Sequence, residues 1–155
     1  MHIPIKVDYA VRALIDICIY SNKIPARTSD IAKRTYIPKP YLSQVLLTLK
    51  KNGLIKSYRG PKGGHTLAKN PSEITLEIIM NSIHKKEYFV NCLNINEVNC
   101  CNYLSVCAQR KIWSEIENTM NSILNQTTIY DLVQQTFKLI PKSNEKKFLA
   151  PILTE

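Results

Sequence analysis

The chain has 155 residues, 45% of them apolar, and a formal net charge of +9; it can build a core of its own and is not a disulfide-dependent mini-protein. No apolar run reaches the ~20 residues of a membrane helix, and the opening MHIPIKVDYAVRAL has no basic leader or cleavage site, so a cytoplasmic protein without membrane contact is expected. Residues 1–70 hold 13 Lys/Arg against three Asp, and residues 71–155 hold eight against nine Asp/Glu; a basic head of this kind suits a polyanion partner, although a solvated lysine surface gives the same balance.

Val7, Ala10, Val11, Leu14, Ile17 and Cys18 recur at helical spacing and predict a first helix with one apolar face. Cys18 lies on that face and reads as a small core residue, while Asp8, Arg12 and Asp16 fall away from it. A short helix is expected over DIAKRTY, capped by Thr28 or Ser29. In IPKPYLSQVLLTLKKNG, Pro40 falls in the first turn and Gly53 supplies the stop. Leu42, Val45, Leu46 and Leu49 form its buried stripe, and Tyr41, Ser43, Gln44, Thr48 and Lys51 fall largely on other faces. Two short helices and a tight turn, the second with a polar outer face, read as helix-turn-helix.

LIKSYRGPKGGHTLA follows directly and predicts a hairpin with a glycine-rich, cationic tip. As a wing, it would bring Arg59 and Lys62 to phosphates or the minor groove, with Gly63 and Gly64 allowing close backbone approach. SEITLEIIMNSI predicts a fourth helix capped at Ser72 or Thr75. From Gln109 onward Ile112, Trp113, Ile116, Met120, Ile123 and Leu124 predict a long amphipathic helix with few chain partners left to cover it, a dimerisation candidate. TTIYDLVQQTF opens with a capping box, Thr128 to Asp131, and buries Ile129, Leu132, Val133 and Phe137. The tail from Pro141 has no periodicity.

Residues 91–107, NCLNINEVNCCNYLSVC, hold four of the five cysteines. Their spacing has neither the short Cys-x2–4-Cys knuckle of structural zinc nor the repeated Cys-x2-Cys of bacterial ferredoxins. Adjacent Cys100 and Cys101 point to different sides, so one metal takes one of them. A reducing compartment and an odd thiol count favour metal ligation or redox sensing over structural bridges. Spacing alone leaves zinc, an iron–sulfur cluster and a redox-switching thiol open.

Taken in order, DYAVRAL, DIAKRTYIPKPYLSQVLLTLKKNGLI, RGPKGG, EITLEII, a cysteine loop, Trp113 and TTIYDLV resemble the iron–sulfur regulators of the Rrf2 family, over about residues 3–138. The resemblance implies a mainly α fold with a small β-hairpin wing: a winged helix-turn-helix DNA-binding domain plus a long dimerisation helix. The implied division is a DNA-binding domain over 1–82, a cluster-binding loop over 83–108, dimerisation helices over 109–140 and a mobile tail over 141–155. It implies no enzyme but a homodimeric transcription regulator, a repressor in the first instance, on a palindromic double-stranded operator. DNA-facing residues would be Thr28, Ser29, Tyr41, Ser43, Gln44, Thr48, Lys51, Arg59, Lys62, Gly63 and Gly64, and the dimer would bury Trp113, Ile116, Met120 and Ile123.

The cofactor implied is a 4Fe–4S or 2Fe–2S cluster sensing nitric oxide, oxygen, redox state or iron. By the resemblance its ligands are Cys92, Cys101 and Cys107. Arg110 stands where IscR-like members carry a ligating histidine, and Asp8 stands at the place of the acidic ligand of NsrR-like members, with an i,i+4 pair to Arg12 as its ordinary alternative. Cys100 is an alternative ligand or a resolving thiol. The sequence departs from the family pattern at Pro38, where a small polar cap is usual, and in carrying four loop cysteines rather than three. A cluster-free regulator under thiol or partner control, and an iron–sulfur carrier, are the rival readings.

Overall fold

The first long helix, α1 (Ile5–Tyr20), is the element against which the others pack. The computed structural model describes residues 3–21, 24–84, 90–93 and 101–140; Cys100 and the tail from Pro141 lie outside them. After α1 come α2 (Thr28–Thr35), α3 (Lys39–Lys51), β1 (Ile55–Tyr58), β2 (Gly64–Leu67), α4 (Leu76–Ile83), α5 (Ala108–Gln126) and α6 (Ile129–Leu139). Ala10, Ala13, Leu14 and Ile17 of α1 are fully buried, and the two alanines let neighbouring helices approach closely. Helices α2, α3, α4 and α6 and strand β2 all pack on α1. Leu42, Val45, Leu46 and Leu49 of α3, with Ile31, Leu54, Ile74, Ile79 and Ile129, complete the core, each large side chain contributing about 1.5–3 kcal/mol by leaving water.

The helix ends follow the local chemistry. Pro38 occupies the cap position of α3 without a side-chain bond, and Pro40 sits at the second helical residue, where its missing N–H has no partner to lose. Gly53, at φ +68, turns the chain so that the Leu54 N–H reaches the Leu49 carbonyl at 3.0 Å. Thr75 caps α4 through Ile78 N–H at 3.3 Å. Thr128 and Asp131 form the expected capping box on α6, and the Thr128 side-chain and backbone bonds hold the Asp131 carboxyl below the usual carboxylate range.

Just before that box, the Leu76 N–H donates to Thr127 O at 3.0 Å and the Ile129 N–H to Ile74 O at 2.9 Å. This short bridge ties the α5–α6 junction to the start of α4. Strands β1 and β2 form an antiparallel hairpin, Ile55 opposite Leu67 and Tyr58 opposite Gly64.

One residue corrects the helical-wheel reading. Asp16 does not lie away from the core face but is buried, 5% exposed. Arg34 of α2 reaches it with Nε at 2.7 Å and Nη2 at 2.8 Å, and the same guanidinium lies 4.2 Å from the centre of the Tyr20 ring. A wheel drawn on α1 alone sees a charge and sends it to solvent, because the partner that makes burial tolerable comes 18 residues later. Burial raises the Asp16 carboxyl above its ordinary range, against the opposing bond and charge of Arg34. Asp16→Ala would leave that guanidinium unpaired; because Arg34 is about one-third exposed, the expected loss is about 2 kcal/mol, short of the value for a fully buried pair. Urea unfolding would show it as a lower midpoint at unchanged slope.

Candidate nucleic-acid interface and cysteine loop

Helix α3 buries one stripe and presents the other to solvent. Tyr41, Ser43, Gln44 and Lys51 are exposed, and Thr48 is half-buried. The Ser43 hydroxyl donates to Lys39 O at 2.9 Å and that of Thr48 to Gln44 O at 3.1 Å, which leaves their oxygens as acceptors. Leu47 is also exposed, 54%, between Gln44 and Thr48. The apolar-stripe reading passes over it.

The hairpin is fastened to the start of α2. His65 of β2 and Ala26 exchange backbone bonds, Ala26 N–H to His65 O at 2.9 Å and His65 N–H to Ala26 O at 2.8 Å. The imidazole spans two elements, with Nε2 3.0 Å from Thr28 Oγ1 and Nδ1 2.9 Å from Ser57 Oγ. Burial, and then the charge of Lys50, push the His65 pKa below its ordinary value; the ring is neutral at physiological pH, one nitrogen donating and the other accepting. Arg27 Nη2 donates to Pro61 O at 2.7 Å, which holds the tip of the hairpin.

These bonds correct the cap assignment. Thr28 and Ser29 do not cap α2; the helix already begins at Thr28, and Arg27 occupies the cap position. The Thr28 hydroxyl is committed to His65, and that of Ser29 donates to Asp30 Oδ1 at 3.2 Å. The glycines have structural reasons of their own. A Cβ on Gly64 would lie 2.6 Å from Pro25 O and 2.7 Å from Ala26 O, and one on Gly63 would strike the Tyr58 carbonyl. Arg59 and Lys62 are exposed at the tip. Thr28, Ser43, Leu47, Lys50, Ser57 and His65 line one cleft, so α2, α3 and the hairpin meet at a single surface. Periodicity and cap preference do not single out Arg27, Lys50 or His65; only the packing of the hairpin reveals them.

The cysteine region is less closed. Cys107 occupies the cap position of α5, half-buried beside Leu93, Leu104 and Val106. The sulfur of Cys101 accepts the Tyr103 N–H at 3.4 Å, and Cys92 lies in a short turn over Asn91–Leu93. Among the described residues no three His, Cys, Asp or Glu side chains come together as a metal site. Asp8 is engaged by Arg12, with Nη2 2.8 Å from Oδ2, an exposed pair of the weak kind. Arg110 is exposed. On α5, Ile116 and Ile123 remain exposed beside half-buried Trp113 and Met120, and Ile112, Ile116, Met120, Ile123 and Leu124 line an apolar groove.

The family model described as Rrf2, iron-dependent transcriptional regulator, matches residues 3–135. The HTH-type transcriptional regulator IscR of Pectobacterium atrosepticum is 31% identical over 133 residues, 86% of this chain and 79% of that one. Among solved structures, CymR (YrzC), the global cysteine regulator of B. subtilis, gives a TM-score of 0.73 at 27% identity, covering 87% of this chain and 98% of that one. T. potens IscR shares the fold, with a TM-score of 0.72 at 23% identity over 92% and 93% of the two chains.

Proposed function

Since the chain belongs to the Rrf2 family of iron-dependent transcriptional regulators, we propose that it is a homodimeric repressor that grips a palindromic operator with α3 and the hairpin of each subunit. The family and its relatives are transcriptional regulators, not enzymes. The observation that supports this geometry is the His65 junction, which ties the hairpin to α2 beside a cleft shared with Ser43, Leu47 and Lys50 of α3. In this reading Arg59 and Lys62 meet phosphates, while Gln44, Ser43 and Thr48 read base edges with Tyr41 and Lys51 beside them. An Arg59→Ala, Lys62→Ala variant should bind all duplexes more weakly. Its plot of log K against log salt should flatten by about 1.8, roughly 0.9 for each phosphate that is no longer neutralised. An unchanged slope in salt titrations would remove the wing from the interface.

The homodimer rests on α5. Ile112, Ile116 and Ile123 are 54%, 41% and 58% exposed on one groove of a helix, and covering them across a two-fold axis buries what a monomer leaves in water. Trp113, Ile116, Met120 and Ile123 are the residues assigned to this interface. Sedimentation equilibrium should return a dimer at micromolar concentration; a monomer there would refute the assignment.

The finer reading, control by an iron–sulfur cluster on Cys92, Cys101 and Cys107 with Asp8 as the further ligand, is supported by the iron dependence in the family's description and by the order of the cysteines. The fold shared with CymR supports the second reading, a regulator of the same family without a cluster. Protein purified without oxygen decides between them by its iron and sulfide content. On the cluster reading Cys92→Ser, Cys101→Ser and Cys107→Ser each lose iron, Asp8→Ala alters the spectrum, and Cys100→Ser is nearly silent. Absence of iron and sulfide from the anaerobic protein would leave the cluster-free reading standing.

A further inference from the structure

Tyr36 closes α2 in the left-handed conformation, at φ +56, and among the described residues it is the sole non-glycine with positive φ. That position at a helix end ordinarily goes to glycine or asparagine, since other side chains crowd the following carbonyl there. The ring receives nothing from the fold in exchange, because Tyr36 is 90% exposed, the largest value among the exposed large apolar residues. Its neighbour Ile37, by contrast, is buried at 2%. A strained backbone carrying an aromatic ring into water is a local conflict, and such conflicts concentrate where a residue serves a partner.

The place identifies the partner. Tyr36 forms the turn between the two helices of the helix-turn-helix, three residues before α3 begins, with exposed Lys33 and Lys39 on either side of it in the chain. When such a motif docks, the second helix enters the major groove and the first crosses the backbone, which brings the intervening turn to the phosphates. We propose that Tyr36 is a DNA-backbone contact, its ring against a deoxyribose and its hydroxyl donating to a phosphate oxygen beside the entry point of α3. Tyrosine is among the side chains that serve this role. The assignment rests on the DNA-binding reading above and adds a residue to it.

The test pairs stability with affinity. Tyr36→Asn, Tyr36→Phe and the wild-type protein are melted, then titrated by fluorescence anisotropy against a labelled duplex of mixed sequence at several salt concentrations. Asparagine accepts the left-handed conformation readily, so the Asn variant should melt at or slightly above the wild-type temperature. It should nevertheless bind about tenfold more weakly, the loss expected for one hydrogen bond to a charged group. The salt slope should stay unchanged, because a neutral side chain displaces no counterion; the Phe variant should fall between the two. Equal affinities for the Asn variant and wild type would overturn the assignment, as would a parallel fall in melting temperature and affinity, which would make the ring a structural support. Wild-type protein that binds no duplex even at the lowest salt would overturn the DNA-binding reading itself, and this contact with it.

Discussion

The bond between Asp16 and Arg34 fixes how α2, and with it the helix-turn-helix, sits on the core. Burying a carboxylate is costly, and burial, opposed by the bond and charge of Arg34, raises the Asp16 carboxyl above its ordinary range. The pair is thus a poor source of raw stability. Its contribution is geometric: two parallel bonds of 2.7 and 2.8 Å admit one orientation of the guanidinium, and the Tyr20 ring closes its other side. Apolar contacts alone would let α2 roll on α1. With Arg34 in the last turn of α2, rotation is resisted close to the turn that launches α3.

The hairpin is restrained from the opposite end of the same short helix. Thr28 opens α2 and Arg34 lies one residue before its last; the first is bonded to His65 of the hairpin and the second to α1. Eight residues therefore relate core, α3 and hairpin to one another. His65 suits the junction because burial keeps it neutral: a neutral ring joins two hydroxyls without bringing another charge beside Lys50. The glycines at 63 and 64 serve the same end. The missing side chain of Gly64 lets β2 lie against the Pro25–Ala26 backbone, and that of Gly63 lets the hairpin tip close on the Tyr58 and Gly60 carbonyls, so the cationic tip projects from a fixed base.

Much of this is legible in the sequence where the signal is local. The apolar stripe of α3, the stop at Gly53, the Thr75 cap and the Thr128–Asp131 box each involve residues within a turn or so of one another, and each appears as expected. The failures share a cause of the opposite kind. A wheel sends Asp16 to solvent because Arg34 is 18 residues away, and cap preference claims Thr28 because His65 is 37 residues away. Side chains with several possible partners take the one that folding brings nearest, and neither periodicity nor cap preference encodes that choice. The motif order marks the proposed interface as a set; it does not separate residues that face outward, such as Gln44 and Lys51, from Gly64, which lies against the Pro25–Ala26 backbone.

The long helix has a mechanical place in this arrangement. At 19 residues α5 spans about 28 Å, with Cys107 at its first end and the Thr127–Ile129 bridge to Ile74 and Leu76 at its last. That far end is anchored in the core, since Ile74 and Ile129 are fully buried and α6 returns to pack on α1. Part of α5 rests on α4, and Glu117 of α5 is buried with Oε2 unpartnered among the described residues. A buried acceptor left unmatched costs about 1–3 kcal/mol, so the middle of α5 is held less firmly than the junction at its end. A change at the cysteine end would meet its greatest resistance at the bridge. Helix α5 would then pivot about the bridge rather than slide. In a two-fold dimer built on α5, such a pivot alters the separation of the two α3 helices while leaving each head intact, because Asp16, Arg34 and His65 hold the parts of a head together independently of α5.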